Sequence, residues 1–381
     1  MIPSTAIVAA LDEGVSIREI AARFGDEAGL WASVQAELRV RARGRFGDRA
    51  ERMLFVREAL EQASHPIAAR YRASLFPAGV EVVDLTAGIG ADLTALAARG
   101  PARGCELDPE RAAYAAHNSG VPVEIGDALA SPPTPYWVAD PARRSEGRRL
   151  TDAEEYEPSL SALLSRAESA RLALIKLSPL LPDRVLERED AGLEFLSVGG
   201  ECREAMLLLG SEARWGRRAV MITSEAVHSL DAADPGEAVE LPGAYLYDAD
   251  PAAIRAHALG SVASASRRCG QILARGEDTG ETPVLHLVPL GDSPGYLTGE
   301  ECLESPWTRR YCVLGAGAFH VRDVKETLRN EGLRIFEVKK RGVGEGPLAK
   351  LKGLPKTGIP VSLILWAVGP SVRYALGSLE K

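Results

Sequence analysis

Between an apolar run that ends at Val83 and an alanine-rich helical pattern that starts near Ala91 lies the sequence DLTAGIGADL, Asp84 to Leu93. A strand that turns through closely spaced glycines straight into a helix is the entry to a nucleotide-binding α/β fold, so this stretch constrains the chain more than any other. Gly88 and Gly90 fall in the turn, where a Cβ would keep the backbone away from a ligand. The dinucleotide form of the turn asks for a third glycine three residues after Gly90, and Leu93 stands there. With no pyrophosphate to seat, that close helix approach is not required. A nicotinamide dehydrogenase is disfavoured on this ground, and no set of hydride-transfer residues is visible.

Beyond the turn, short β-branched runs alternate with helical patterns as far as Thr223. Strands are expected at 80–85, 102–106, 122–125, 136–139, 171–177, 193–198 and 218–223, which reads as a doubly wound, Rossmann-like α/β sheet of seven strands. Residues 201–209 receive no assignment. The strand ends carry polar groups in a telling order. Glu106 lies 18 residues after Gly88, where a carboxylate can accept hydrogen bonds from both ribose hydroxyls. The third strand ends near Asp127 in EIGDAL, and the fourth, in YWVADPARR, brings Asp140-Pro141 to the mouth of the cleft. Lys176 and Ser178 in IKLSP close the fifth and face the same cleft. Each alone is equally a helix cap, a solvated acid or, for Lys176, a strand-end lysine with its stem along apolar surface. Together, four strand ends in sequence favour a cofactor site.

The chain of 381 residues is long enough for several domains. Residues 1–75 read as a helical region, with Ser16 as a cap and Ile17, Ile20, Ala21 and Phe24, then Met53, Val56 and Leu60, at helical spacing. The turn-rich DAADPGEAVELPG, Asp231 to Gly243, reads as a linker, and an α+β region follows it. A net charge of −8 argues against a surface that grips nucleic acid all over. Two basic clusters nevertheless stand out. One holds Arg39, Arg41, Arg43, Arg45, Arg49 and Arg52, relieved by Asp48 and Glu51; the other sets Arg334, Lys339, Lys340, Arg341, Lys350, Lys352 and Lys356 against Glu337 and Glu345. Either is a patch for an anionic polymer or simply a solvated face. No apolar run approaches the roughly 18 residues of a membrane span, and the first ten residues lack the basic start of a signal peptide, so the cytoplasm is the expected location. Cys105, Cys202, Cys269, Cys302 and Cys312 are scattered, which predicts buried free thiols, and the dispersed histidines offer no visible metal-ligand set.

The pattern Asp-x-Thr-Ala-Gly-x-Gly resembles motif I of the class I methyltransferases that use S-adenosylmethionine. LEQAS (Leu60 to Ser64), ARYRASL, DLTAGIGADL, VADPARR, LALIKLSPLLP, GGECREAML, YLYDADPAAIRAHAL and VKKRG are together similar to a bacterial family of uncharacterised methyltransferases, from about Leu60 onward. DPARR and KKRG are the most specific parts. The resemblance implies an N-terminal helical region (1–75), a class I methyltransferase domain (76–230), a ferredoxin-like α+β domain (243–330) and a THUMP-like domain (331–381). It implies S-adenosylmethionine as cofactor, with Asp84, Thr86, Gly88 and Gly90 in the cofactor loop, Glu106 at the ribose and Asp127 at the adenine. THUMP modules accompany RNA-modifying enzymes, so an RNA substrate, ribosomal or transfer, is implied, with Lys339, Lys340 and Arg341 touching its phosphates.

On the acceptor side the resemblance places Asp140 to Arg143. Asp140-Pro141 resembles the Asp/Asn-Pro-Pro-aromatic motif of methyltransferases that act on exocyclic amines of bases. An aromatic amine is a poor nucleophile because its lone pair is delocalised. A carboxylate that accepts its hydrogens turns the lone pair towards the methyl group, and orientation alone is worth roughly 7–11 kcal/mol. Ala142 replaces the second proline, and Arg143 stands where an aromatic ring would stack; an arginine plane can stack on a base or hold a phosphate. Cytosine-C5 chemistry would want a nucleophilic cysteine beside the cofactor, and no Pro-Cys occurs. Three readings stay open: an RNA base-nitrogen methyltransferase, a methyltransferase with a small-molecule or protein acceptor, and an RNA-binding protein that keeps the fold without turnover. The sequence carries no signature of the oligomeric state.

Overall fold

The computed structural model describes residues 3–145, 148–268, 287–292, 294–346, 351 and 353–380. The chain divides into two compact units, residues 1–193 with 204–215 and residues 194–203 with 216–381.

The first unit opens with helices α1 (Thr5–Asp12), α2 (Ile17–Phe24) and α3 (Asp26–Phe46). Ser16 caps α2 as expected: its hydroxyl accepts from Glu19 N at 3.2 Å, satisfying one of the free N–H groups of the first turn. Helical periodicity does not, however, run through 53–56, which forms an extended, buried link before α4 (Arg57–Gln62). Side-chain amides supply the hydrogen bonds that a helix would have made there. Gln35 donates to Phe55 O and accepts from Phe55 N, both at 2.9 Å. Asn118 accepts from Leu54 N at 2.8 Å, donates to Leu54 O at 2.9 Å, and reaches Ile89 O of the glycine turn at 2.8 Å. The N-terminal helices are thus stitched to the turn itself.

There follow α5 (Pro66–Ser74), β1 (Val82–Asp84), α6 (Ala91–Arg99), β2 (Ala102–Glu106), α7 (Pro109–Ser119), β3 (Val123–Ile125), β4 (Tyr136–Ala139), α8 (Leu160–Ala167), β5 (Leu172–Leu177), β6 (Gly192–Val198) and β7 (Glu201–Leu209). Within this unit the strand order is β3-β2-β1-β4-β5-β7. Neighbours are parallel except β7, which runs antiparallel to β5. Residues 201–209, unassigned in the sequence, are therefore a strand. Ala205 to Leu209 is buried throughout, so it shows no alternation and cannot be told from a buried helix by periodicity. All four residues of β4 are buried, as suits a strand covered on both faces. Val82, Val138, Leu174 and Met206 of the sheet pack with Ala69 and Ala73 of α5 and Leu96 of α6.

In the second unit β8 (Gly216–Ile222) lies between β6 and β9 (Val227–Asp231), so the strands expected at 193–198 and 218–223 both form. Of Asp231 to Gly243, read as a linker, Asp231 ends β9 and the rest is irregular backbone inside this unit: Ala233 N donates to His257 O and Val239 N to Pro289 O. A second sheet is built from β10 (Tyr245–Ala249), β11 (Val288–Pro289), β12 (Tyr296–Gly299), β13 (Thr308–Ala318), β14 (Leu333–Arg341), β15 (Ile359–Val368) and β16 (Ser371–Glu380), in the order β11-β12-β10-β13-β16-β15-β14. Helix α9 (Pro251–Arg255) follows β10 directly. Because β13 pairs with β16, chain on both sides of residue 330 shares one sheet. Of the cysteines, Cys105 is buried as expected, whereas Cys202, Cys302 and Cys312 are only half-buried; none of these four is in a disulfide, and Cys269 lies outside the described residues.

Candidate active site

A cavity of about 850 Å³ opens over the carboxyl ends of β1 to β4 and is lined by Leu85–Ile89, Glu106–Pro109, Gly126–Leu129, Asp140 and Ala142. This is where an open α/β sheet presents a ligand site. Ala59 and Gln62 to Ser64 of the N-terminal segment form one wall, and Tyr156 to Ser159 another.

The turn is held from several strands. Asp84 Oδ1 accepts from Thr86 N at 3.1 Å, Thr86 Oγ1 accepts from Asp140 N at 2.6 Å, and Gly88 N donates to Glu106 Oε2 at 2.7 Å. Glu106 Oε1 also accepts from Asp108 N at 3.0 Å, so this carboxylate is oriented through both oxygens, each with a lone pair to spare for a ligand. Gly88 and Gly90 have φ of 55° and 84°. The reason for Gly90 differs from the one expected: a Cβ there would lie 2.9 Å from Ala115 O, so it is helix α7, rather than a ligand, that excludes a side chain. Leu93 has its counterpart in Gly104, whose added Cβ would sit 2.8 Å from Leu93 Cδ2. The close helix–strand contact is kept, with the glycine moved to the strand.

Beneath the cavity lies a buried network of charges. Lys176 Nζ donates to Asp140 Oδ2 at 2.6 Å and to Ser64 Oγ at 2.9 Å, and stands 3.8 Å from Glu204 Oε2. Ser64 Oγ donates in turn to Asp92 Oδ2 at 2.7 Å. Arg72, fully buried, donates to Asp92 Oδ1 through Nε at 2.8 Å and pairs with Glu204. Burial opposes the Arg72 charge, but Asp92 and Glu204 more than reverse this and make the guanidinium more basic than usual. Burial likewise works against an ionised Asp92, yet Arg72 and Lys176 hold its carboxyl below the ordinary range. Asp84 has no such cation: burial, reinforced by Asp92, pushes its carboxyl well above the ordinary range.

Of the residues singled out in sequence, Thr86, Gly88, Glu106, Asp127 and Asp140 line the cavity. Asp127 Oδ1 accepts from Leu129 N at 2.8 Å. Asp84 lies behind the turn, Pro141 is buried, and neither Arg143 nor Ser178 is among the lining residues; Lys176 reaches the site through Asp140. Tyr156, missed in sequence, brings a buried ring to the wall because Ala142 N pairs with Glu157 O at 2.8 Å. Ser64, Arg72, Asp92 and Glu204 were missed as well.

Part of the charge in each basic cluster is paired with acids. Arg39 pairs with Asp12, Arg41 with Glu37 and Glu61, and Arg43 with Glu51, while Arg45 donates to backbone carbonyls. In the second unit Lys339 Nζ donates to Asp248 Oδ2 at 2.6 Å, Arg341 to Asp248 Oδ1 at 3.0 Å, and Lys340 pairs with Glu345; Lys350 and Lys352 lie outside the described residues.

No family model matches the chain. It is 32% identical over 369 residues, 91% of the chain and 95% of the relative, to an uncharacterized S-adenosylmethionine-dependent methyltransferase of Mycobacterium tuberculosis strain CDC 1551, and to the same extent to its counterpart in strain H37Rv. The chain belongs to the S-adenosylmethionine-dependent methyltransferases. A putative methyltransferase from Porphyromonas gingivalis W83 shares the methyltransferase's fold, with a TM-score of 0.73 at 20% identity and full coverage of both chains. The cavity of this methyltransferase suits the cofactor. Asp92, Glu106, Asp108, Asp127, Asp140 and Glu157 line it against Arg111 as the one base among the lining residues, and the cofactor carries sulfonium and ammonium charges. No helix among the described residues is long and apolar enough to cross a membrane.

Proposed function

We propose that this methyltransferase modifies a base nitrogen of ribosomal or transfer RNA, with Asp140 receiving the acceptor amine. Asp140 carries the reading. It stands at the end of β4 on the cavity wall, its backbone N is held by Thr86, its Oδ2 is held by Lys176, and its Oδ1 has no hydrogen-bond partner among the described residues. S-adenosylmethionine, when bound, supplies an electrophilic methyl group. Glu106 accepts from the ribose hydroxyls, Asp127 from the adenine amine, and the Asp84–Gly90 turn seats the amino-acid end. Asp140 Oδ1 accepts a hydrogen from the acceptor amine, aims its lone pair, and takes the proton released as the N–C bond forms and the methyl–sulfur bond breaks, its electron pair leaving with S-adenosylhomocysteine.

Arg143, Arg144, Arg148 and Arg149 follow Asp140 directly in the sequence, a density of positive charge suited to phosphates. In this reading the THUMP-like C-terminal region docks RNA at the Lys339–Arg341 segment, where Lys340 would exchange the exposed Glu345 for a phosphate while Lys339 and Arg341 stay on the buried Asp248. Comparing modified nucleosides in ribosomal and transfer RNA from cells with and without the gene should reveal the loss of one methylated nucleoside. Wild-type protein should restore it and Asp140→Ala should not. An unchanged nucleoside profile would sink the RNA substrate. It would favour the second reading, a small-molecule or protein amine, for which the acidic lining of the cavity speaks.

A further inference from the structure

We propose that Lys176 is a positioning residue for methyl transfer: it fixes the Asp140 carboxylate so that Oδ1 alone is presented to the acceptor, and Ser64 makes the N-terminal segment part of that clamp. The inference rests on the reading of Asp140 as the acceptor's partner. Lys176 and Asp140 sit at the ends of adjacent parallel strands, with Ala139 in register with Ile175, so the ammonium and the carboxylate meet one residue beyond the paired backbone. The lysine side chain is 5% exposed and that of Asp140 26%, so the pair spans from the buried floor to the open cavity.

The ammonium has three N–H groups and three oxygens around it: Asp140 Oδ2 at 2.6 Å, Ser64 Oγ at 2.9 Å and Glu204 Oε2 at 3.8 Å. A lysine between two carboxylates could swing to either. Arg72 counters this by engaging both Glu204 and Asp92, which leaves Asp140 as the nearest carboxylate that no arginine among the described residues holds. Ser64 is oriented too, since its proton goes to Asp92, and its lone pair is thereby turned to Lys176. With the Asp140 backbone N bonded to Thr86 Oγ1, the residue is held at its backbone and at one carboxylate oxygen. Buried ion pairs contribute little net stability compared with apolar packing, so a fixed geometry is the stronger reason for such a network beneath a cavity. Without the lysine the carboxylate is free to rotate, and misplacement by about 1 Å costs on the order of 100-fold in rate.

The test measures transfer of labelled methyl groups from S-adenosylmethionine to a heat-treated whole extract of cells lacking the gene, which offers RNA, protein and small-molecule acceptors together. S-adenosylhomocysteine affinity is measured in parallel. Lys176→Met should lower the rate at saturating cofactor on the order of 100-fold while the affinity stays within about twofold, and Lys176→Arg should recover much of the loss. Lys176→Met at the wild-type rate beside an inactive Asp140→Ala overturns the inference alone, as does a loss that is entirely one of cofactor affinity. An Asp140→Ala protein at the wild-type rate overturns the underlying site reading instead. Should Lys176→Met fail to fold, Ser64→Ala decides: removing one support of the ammonium should slow transfer by roughly fivefold, and an unchanged rate counts against the clamp.

Discussion

Ala-Asp-Pro closes a strand twice in this chain, at 139–141 after β4 and at 249–251 after β10, and the two aspartates have opposite fates. Asp250 becomes the N-cap of α9, with Pro251 at the first helical position; Oδ1 accepts from Ala252 N and Oδ2 from Ser197 Oγ, both at 2.8 Å. Asp140 caps nothing, because Ala142 pairs with Glu157 instead of starting a helix, and one oxygen is left towards the cavity. Asp248, two residues before Asp250, has both oxygens occupied by Lys339 and Arg341. A buried carboxylate whose two oxygens are both engaged by the protein, and which does not line the active-site cavity, is structural. One held through a single oxygen at a cavity wall is available for chemistry.

The largest expected effect tests that contrast directly. Asp140→Ala should lower methyl transfer on the order of 100-fold or more, with S-adenosylhomocysteine affinity within about twofold, whereas Asp250→Ala should leave the rate nearly untouched. Labelled-methyl transfer and calorimetric titration of both variants would read this. Equal losses in the two proteins would collapse the distinction.

Glu106 is the intermediate case, since it serves the backbone and is still exposed to the cavity. Glu106→Ala leaves Gly88 N and Asp108 N without their acceptor and removes the group expected to meet the ribose. S-adenosylhomocysteine should bind about tenfold more weakly or worse, about 1.4 kcal/mol. A variant that binds as tightly as the parent would count against the ribose assignment.

The contrast also shows which features were legible in sequence. The strand–turn–helix unit and the carboxylates at successive strand ends were readable because each depends on local spacing along one chain segment. So was the Ser16 cap. The Arg72–Asp92–Glu204 group was not, because its members lie 20 and 132 residues from Arg72 and nothing local marks them as partners. The same holds for Asp12, 27 residues from Arg39, which takes up one charge of the N-terminal basic run. Strand β7 was missed for another reason: burial of every residue from Glu204 to Leu209 erases the alternation by which a strand is recognised. And Ala-Asp-Pro itself reads alike at both sites, since what separates them is whether the next residues extend or coil.

The smallest effect probes the structural aspartate by its charge. Burial pushes the Asp250 carboxyl above its ordinary value, against the opposing pull of the Ser197 and Ala252 hydrogen bonds. A raised folded value means that the native state holds the proton longer than the unfolded chain, whose carboxyl titrates near 3.9. Stability from this group is therefore undiminished below that pH and falls as pH rises towards the folded value, beyond which the cost of a buried charge is complete. Asn caps a helix about as well as Asp and cannot ionise. Asp250→Asn should thus gain on the wild type as pH rises above about 4, read as a growing gap in urea midpoints, while transfer activity stays level. A gap that closes with rising pH would mean that the hydrogen bonds from Ser197 and Ala252 outweigh burial, and Asp250 would then be a stabilised anion like Asp92 rather than a buried cap held at a cost.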